Sequence, residues 1–205
     1  MLVLSIIITV VSSYLLGSMN GAIIASKYYY KKDIREYGSG NPGLTNFYRV
    51  FGKFGAIVVV IIDVMKTVIP VVAGGILFEN FVSTAVMGRT LAGFCVMLGH
   101  VFPIFYKFKG GKGVLTGGVV VFIVDWRVGL VAWGAFLILV ILTRYVSLGS
   151  IAAGVMYPVA MALFGVGGNI ELLIVILSGS LLIARHAPNI YRLVHGKESK
   201  LTFKK

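Results

Sequence analysis

Long apolar stretches separated by short polar segments run along the sequence from its first residues to about residue 186. Most of these stretches are long enough for a helix to cross a bilayer, which takes about 20 residues. The pattern predicts an all-α, polytopic membrane protein with seven transmembrane helices. We place the spans at residues 2–26, 55–77, 84–106, 113–124, 128–143, 148–166 and 170–186.

The fourth stretch is short. Its residues 114–124 would rise only about 17 Å as a helix, which is less than the roughly 30 Å hydrocarbon core. Two interpretations stay open: a tight hairpin with the fifth stretch, or entry into a thinned part of the protein. The turn after it, Asp125-Trp126-Arg127, combines two charges with an aromatic residue typical of a membrane interface.

Composition supports a membrane protein. Hydrophobic residues make up 58% of the chain and charged residues only 13%, whereas a soluble domain carries about 25% charged residues. We expect a single transmembrane domain over residues 1–205, with no soluble domain beside it. The first stretch lacks a basic leader and is long enough to span, so we interpret it as a helix and not as a signal peptide.

Positive charge is distributed unevenly between the two sides. Of the 19 Lys and Arg residues, all but Arg89, Arg127 and Lys66 fall in connections on one side or in the tail that ends at Lys204 and Lys205. The positive-inside rule then predicts an external N-terminus and a cytoplasmic C-terminus. In such a protein, a net charge of +12 indicates lipid headgroups and phosphorylated substrates as partners, and not nucleic acid.

The first unusual cytoplasmic segment covers residues 33–46 and is followed by Arg49. It is dense in glycine and interleaves Ser, Thr and Asn, which suits a backbone that surrounds an anion. The string also fits G-x-G-x-x-G, but a dinucleotide site needs a preceding strand in a βαβ unit, so we reject that interpretation. A tight turn between helices is the alternative.

The second segment contains Gly99-His100-Val101-Phe102-Pro103 and then residues 108–113, where Lys109 and Lys112 stand among glycines. Flexible ammonium groups beside an open backbone suit a phosphate, although the string is not a P-loop. The alternative is a basic patch that touches lipid headgroups, which explains the lysines but not the glycines.

The third segment, residues 185–192, closes the last span, and Pro188 should end or restart a helix there. His186 and Asn189 are three residues apart and could share a helix face, although a lone His at a membrane boundary is more often a structural hydrogen-bonding residue.

Two smaller pairs complete the polar features. Asp63 and Lys66 lie three apart inside the second span, as a structural ion pair or as a functional one. Ser147 and Ser150 lie at the start of the sixth span, where Ser147 could simply cap the helix.

Together these segments resemble the bacterial acyl-phosphate:glycerol-3-phosphate acyltransferase family. The departures from the family pattern are Leu44, where alanine is usual, and Thr67, where glycine is common. The matching strings are GSGNPGLTNFYR at 38–49, GHVFP at 99–103, FKGGKG at 108–113 and RHAPNIYRL at 185–193, followed by Gly196 and Glu198.

The resemblance implies a seven-helix enzyme of the bacterial inner membrane with its site on the cytoplasmic side. It would transfer a fatty acyl group from acyl phosphate to the 1-hydroxyl of sn-glycerol 3-phosphate, giving lysophosphatidic acid and phosphate in the first step of phospholipid synthesis. We expect catalytic roles for Ser39, His186 and Asn189. The expected phosphate-binding residues are Gly40, Asn41, Asn46, Arg49, Lys109, Gly111, Lys112, Ser147 and Ser150.

The identity of the general base stays open. His186 is one choice, a phosphate oxygen of a bound substrate is another, and a covalent acyl-serine at Ser39 ranks third. The H-x-x-x-x-D motif of acyl-CoA-dependent glycerolipid acyltransferases is absent, because Phe105, Tyr191 and Lys200 follow the three histidines at that spacing.

No feature requires a metal or an organic cofactor, and the single cysteine, Cys95, rules out an intrachain disulfide and a CxxC metal site. No obligatory protein partner is implied. The rival function is a small membrane transporter of phosphate esters or other anions, which predicts an internal repeat and polar groups near the bilayer midplane. A non-catalytic scaffold would leave the three polar segments unexplained.

Overall fold

Every regular element in residues 1–201, which a computed structural model describes, is a helix. The all-α prediction is therefore confirmed. Lys204 and Lys205, which the charge analysis assigned to the cytoplasmic tail, lie outside the described residues. The elements are α1 (Leu2–Gly17), α2 (Gly21–Tyr29), a 3-10 turn (Ile34–Glu36), α3 (Leu44–Val82), α4 (Ala85–Val101), a second 3-10 turn (Ile104–Tyr106), α5 (Val114–Val124), α6 (Trp126–Thr143), α7 (Val146–Leu163), α8 (Asn169–Arg185) and α9 (Ala187–Val194).

Four helical segments of the described chain are long and apolar enough to cross a membrane: α3, α4 with the 3-10 turn that follows it, α6 and α7. Two bent pairs, α1 with α2 and α8 with α9, raise this number to six if each pair forms one span. The 11-residue α5 is apolar but shorter. The count of seven spans and the orientation of the termini stay predictions.

The first span is broken, whereas the hydropathy pattern indicated one continuous helix. The chain bends by 40° between α1 and α2. The Asn20 side chain accepts a hydrogen bond from the Ile23 N–H at 2.9 Å and so caps α2 at its N-terminus. Apolar residues resume after the short stretch 17–21, so hydropathy averaged over the length of a span does not reveal the bend.

The second span also differs from its predicted bounds, whereas α8 matches the last predicted span, 170–186, to within one residue. Helix α3 starts at Leu44, well before the predicted residue 55, and Gly52 interrupts it with non-helical angles (φ 77°, ψ −172°). The polar residues before this kink made the first turns of α3 resemble a loop. At the other end of the chain, α8 and α9 meet at a 57° bend, and Pro188 lies in the first turn of α9, as expected of a residue that restarts a helix.

The described chain forms two compact units, the first from Met1 to Val120 and the second from Val121 onward. In the first unit α1 packs on α3 and α4, and α2 packs on α3. Glycines allow close approach of the helices: a Cβ on Gly88 would collide with the carbonyl oxygen of Gly74, and one on Gly99 with that of Tyr14. In the second unit α7 packs against α6 and α8. The single-domain interpretation stays a prediction.

Candidate active site

The first predicted segment, residues 33–46, comprises the first 3-10 turn, a loop from Tyr37 to Gly43 and the first residues of α3, and the Asn46 side chain holds this loop in shape. Asn46 Oδ1 accepts a hydrogen bond from the Ser39 N–H at 2.9 Å, and Asn46 Nδ2 donates to the Tyr37 carbonyl at 3.0 Å. Gly38 (φ 59°) and Gly40 (φ 70°) adopt left-handed backbone angles, and a Cβ on Gly38 would collide with Asn46 Oδ1. The loop thus needs glycine at position 38 for both conformation and space.

The loop leads directly into the N-terminus of α3. Gly43 precedes the helix and supplies no side-chain cap, so the first N–H groups of α3 carry the partial positive charge of an uncapped helix end. Ser39 and Arg49 are exposed and Asn41 is half-buried. The carbonyl of Pro42 accepts from Asn20 Nδ2 at 3.1 Å, which ties the loop to the break between α1 and α2.

Asp33 and Arg35 form an ion pair in the segment that precedes this loop. Two guanidinium nitrogens of Arg35 donate to the Asp33 carboxylate at 2.9 and 2.6 Å. These hydrogen bonds from Arg35 hold the pKa of Asp33 well below its usual range, although partial burial acts in the opposite direction. Arg35 is therefore engaged in an ion pair, whereas Arg49 is exposed near the start of α3.

The second predicted segment contains His100, which belongs to a buried cluster of polar side chains. Lys66 Nζ lies 2.7 Å from Asp63 Oδ1, 2.8 Å from the Met19 carbonyl oxygen and 2.8 Å from His100 Nδ1. Asp63 Oδ1 also accepts from the Gly21 N–H at 3.0 Å. The Asp63 and Lys66 side chains are only 2% and 3% exposed. The pair seen in the sequence is thus a buried ion pair, and it extends to His100 and to the broken first span.

The glycines of residues 110–113 pack closely on the C-terminal end of α4. The Gly110 N–H donates to the Val101 carbonyl at 3.2 Å and the Gly111 N–H to the His100 carbonyl at 3.1 Å. A Cβ on Gly111 would collide with His100 Nε2. Close packing against α4 thus explains the glycines at positions 110 and 111, which the sequence alone does not indicate. Within this loop Lys109 is exposed and Lys112 is half-buried.

Glu198 organises the polar residues of the second unit. Its Oε1 accepts from Ser147 Oγ at 2.8 Å and from Asn189 Nδ2 at 2.7 Å, while its Oε2 accepts from Arg192 Nε at 2.7 Å. Burial opposes ionisation of Glu198, but these three donors together outweigh it and keep the pKa of the carboxyl below its usual value. Ser147 therefore does not cap α7, whose N-cap position belongs to Tyr145.

His186 lies at the junction of α8 and α9 and is 2% exposed. Its Nδ1 is 2.8 Å from the Leu182 carbonyl oxygen. Because a carbonyl only accepts, Nδ1 carries a proton. Asn189 follows one turn later, and its N–H donates to the His186 carbonyl at 2.8 Å. Ser150 is buried on α7, and its hydroxyl donates to the Val146 carbonyl at 2.9 Å.

The structure thus groups the predicted residues in three places. Ser39, Gly40, Asn41, Asn46 and Arg49 belong to the α3 loop; Lys109, Gly111 and Lys112 belong to the loop on His100; and Ser147, Ser150, His186 and Asn189 belong to the second unit. Among residues 1–201, no three His, Cys, Asp or Glu side chains come together as a metal site requires.

The sequence does not predict two sets of polar contacts. Glu198 stands out there only as part of a matching string, and no pattern indicates the contact of His100 with Lys66. The available signals were the charged pair inside a span and the histidine at the end of the next span, but nothing in their spacing brings them together.

Comparison with known proteins gives a consistent result. A family model described as glycerol-3-phosphate acyltransferase matches residues 7–196. The chain is 43% identical over 195 residues to a glycerol-3-phosphate acyltransferase of Thermoanaerobacter pseudethanolicus, covering 95% of both chains. It is 42% identical over 202 residues to one of Dechloromonas aromatica, covering 98% of this chain and 99% of the relative.

Solved structures agree in fold. A crystal structure of PlsY, an integral membrane glycerol 3-phosphate acyltransferase, in its glycerol 3-phosphate form matches with a TM-score of 0.85 and 37% identity, over 97% of this chain and 96% of that one. The lysophosphatidic acid form of PlsY matches over the same shares with a TM-score of 0.83 and 35% identity. The chain therefore belongs to the glycerol-3-phosphate acyltransferase family and is an integral membrane acyltransferase.

Proposed function

We propose that the protein transfers a fatty acyl group from acyl phosphate to the 1-hydroxyl of sn-glycerol 3-phosphate and releases lysophosphatidic acid and inorganic phosphate. The observation that carries this proposal is the likeness over 97% of the chain to PlsY, whose crystal forms hold an acceptor and a product of this reaction. We place the reaction at the cytoplasmic face of a bacterial inner membrane, as the first acylation of phospholipid synthesis.

The reaction needs binding and orientation more than strong chemical activation. The acceptor hydroxyl oxygen attacks the acyl carbonyl carbon, the bond from that carbon to the phosphate oxygen breaks, and the hydroxyl proton passes to a base. Phosphate is a good leaving group, so positioning of the two substrates and stabilisation of the developing oxyanion supply most of the acceleration.

Both substrates carry phosphate, which determines the roles we propose in the first unit. Arg49 is exposed beside a glycine loop and an uncapped helix end, and its planar guanidinium suits bidentate phosphate binding. Lys109 and Lys112 contribute flexible ammonium groups. The backbone N–H group of Asn41 adds a hydrogen bond, while Gly40 and Gly111, whose N–H groups are bound to the Tyr37 and His100 carbonyls, act like Asn46 through the shape of their loops.

In the second unit we propose that His186 and Asn189 bind glycerol hydroxyls or stabilise the oxyanion, and that Ser147 and Ser150 bind phosphate. Nδ1 of His186 is already protonated toward Leu182, so the ring acts through Nε2. As a base, His186 would therefore accept the hydroxyl proton at Nε2. A substrate phosphate oxygen and an acyl-serine at Ser39 remain the second and third hypotheses.

A turnover assay tests the proposal. Purified protein in detergent receives palmitoyl phosphate and labelled glycerol 3-phosphate, and lysophosphatidate is quantified. We expect product with palmitoyl phosphate and none when palmitoyl-CoA replaces it. A monodisperse, helical protein that forms no lysophosphatidate would overturn the proposal. Uptake of labelled glycerol 3-phosphate into proteoliposomes without acylation would favour the transporter instead.

A further inference from the structure

The buried cluster of Met19, Gly21, Asp63, Lys66 and His100, here named the Lys66 cluster, has no part in the proposed chemistry. An ammonium group has three N–H donors. Lys66 Nζ has three acceptors within reach, Asp63 Oδ1 at 2.7 Å, the Met19 carbonyl at 2.8 Å and His100 Nδ1 at 2.8 Å. All three donors are therefore used, and the charge is balanced by the Asp63 carboxylate.

This saturation determines the tautomer of His100. Nδ1 must offer its lone pair to the Lys66 ammonium, so the imidazole is neutral and its proton is on Nε2. The ring is also fixed in orientation, because one edge is bound to a side chain that is itself held by Asp63 and by the main chain at Met19. His100 is 4% exposed.

The other edge of the ring supports the loop of residues 110–112. A Cβ on Gly111 would collide with His100 Nε2, so the Gly111 backbone lies directly against the imidazole. The His100 carbonyl accepts from the Gly111 N–H at 3.1 Å, and the adjacent Val101 carbonyl accepts from the Gly110 N–H at 3.2 Å. The loop that contains Lys112 thus packs on His100, and Lys66 fixes the orientation of the His100 ring.

We infer that His100, oriented by Lys66, is a positioning residue that holds the Gly110–Lys112 loop in the conformation in which it binds a substrate phosphate. The inference rests on the proposed function, which gives the loop its ligand. A mere ion pair would require only Asp63 and Lys66, whereas the third donor of Lys66 is directed to the His100 ring, which contacts the loop at Gly111. Fully satisfied buried networks of this kind rigidify the segments that they join.

Two variants test the inference without leaving an unpaired buried charge. The double variant Asp63→Asn/Lys66→Met removes both charges and the bond to His100. The His100→Asn variant keeps an amide oxygen near the position of Nδ1 for Lys66 and removes the part of the ring that contacts Gly111. Thr67→Val is the matched control: it loses one buried hydrogen bond on the same helix, 2.7 Å to the Asp63 carbonyl, and leaves Lys66 unchanged.

Two readouts are compared. Hydrogen exchange of the peptide that contains Gly110 and Gly111 is measured without substrate, and KM and kcat are measured for each substrate. We expect exchange at the loop to accelerate, and KM for a phosphate-bearing substrate to rise, by about threefold to tenfold in both variants, the range of one hydrogen bond. We expect kcat to stay within about twofold, and Thr67→Val to change neither loop exchange nor KM.

Unchanged loop exchange in both variants would overturn the inference. Faster exchange with unchanged KM for both substrates would also overturn it, because the cluster would then stabilise the fold without serving substrate binding. Failure of the proposed function is visible separately, as absence of lysophosphatidate from the wild-type protein.

Discussion

Arg49 is the residue whose substitution best separates specific phosphate binding from general cationic attraction. It is exposed on α3, just after the glycine loop. We expect Arg49→Ala to raise KM for a phosphate-bearing substrate by about tenfold to hundredfold, since hydrogen bonds to charged groups contribute about 1.5–3 kcal/mol. Arg49→Lys should recover only part of this loss, because it keeps the charge but not the bidentate geometry.

Lys53 is the matched control for Arg49, because it is a second exposed cation of α3, just after the kink at Gly52. Steady-state kinetics of Lys53→Ala should match those of the wild type. Equal KM increases in the Arg49→Ala and Lys53→Ala variants would show that α3 attracts phosphate only by its overall charge.

The sequence predicts features that depend on neighbouring residues better than contacts between distant ones. The left-handed angles of Gly38 and Gly40 could be anticipated from glycine density within one loop. The attachment of Ser147 and Asn189 to Glu198 could not, because Glu198 lies 51 residues from Ser147 and 9 from Asn189. Main-chain acceptors are harder still to predict, because every residue has a carbonyl group. Nothing about a methionine at position 19 indicates that its carbonyl accepts a hydrogen bond from Lys66.

The junction of α7, α9 and the tail depends on an ionised Glu198. Its pKa is lowered in the folded protein, so its contribution to stability is complete above the ordinary carboxyl pKa and is lost as the pH falls through the lowered value. We expect the melting temperature of the wild type in detergent to fall as the pH drops below the ordinary glutamate pKa of 4.5, and the Glu198→Gln variant to melt lower at neutral pH but to show a shallower acid decline.

Glu36→Gln, which changes an exposed glutamate of the first unit, is the control for that pH series and should follow the wild-type curve. Parallel acid declines in the wild type and Glu198→Gln would contradict the role given to Glu198.

Helix contacts through glycine make a second prediction at this scale. A Cβ on Gly88 would collide with the Gly74 carbonyl and approach Phe78 Cβ to 2.8 Å, whereas a Cβ on Gly134 would meet nothing within 4 Å. Gly88→Ala should therefore force α3 and α4 apart and destabilise the protein by about 1–3 kcal/mol. Gly134→Ala should be neutral or stabilising by up to about 1 kcal/mol, as is usual within a helix.

Thermal unfolding of both glycine variants followed by circular dichroism provides the measurement. Equal melting temperatures for Gly88→Ala and the wild type would contradict close packing of α3 on α4.

At the scale of the whole molecule, the positive-inside pattern predicts which side each turn faces. In a Cys95→Ala background, we expect Arg127→Cys, in the first turn of α6, to react with a membrane-impermeant maleimide in intact spheroplasts. Ser199→Cys, after α9, should react only after lysis. Labelling of both variants from the same side would contradict the three spans predicted between the two positions and, with them, the seven-span topology.

The sequence predicts where helices lie better than it predicts their shape. Hydropathy is a local property, so each predicted span has a helix that corresponds to it. The bends are not local: the break before α2 depends on Asn20, Asp63 and Lys66 acting together, and the early start of α3 depends on Gly52 absorbing a kink. Long apolar composition is compatible with either a straight or a broken helix, and polar contacts from other helices decide between them.

The broken first span also bears on how the protein is made. The Met19 carbonyl and the Gly21 N–H obtain their partners from Lys66 and Asp63 of α3, and unsatisfied backbone groups are strongly disfavoured in lipid. During synthesis the first apolar segment leaves the ribosome before α3 exists. It must therefore enter the membrane in a different shape, and it acquires its bend only when the next span arrives, so that the second helix to be inserted completes the first.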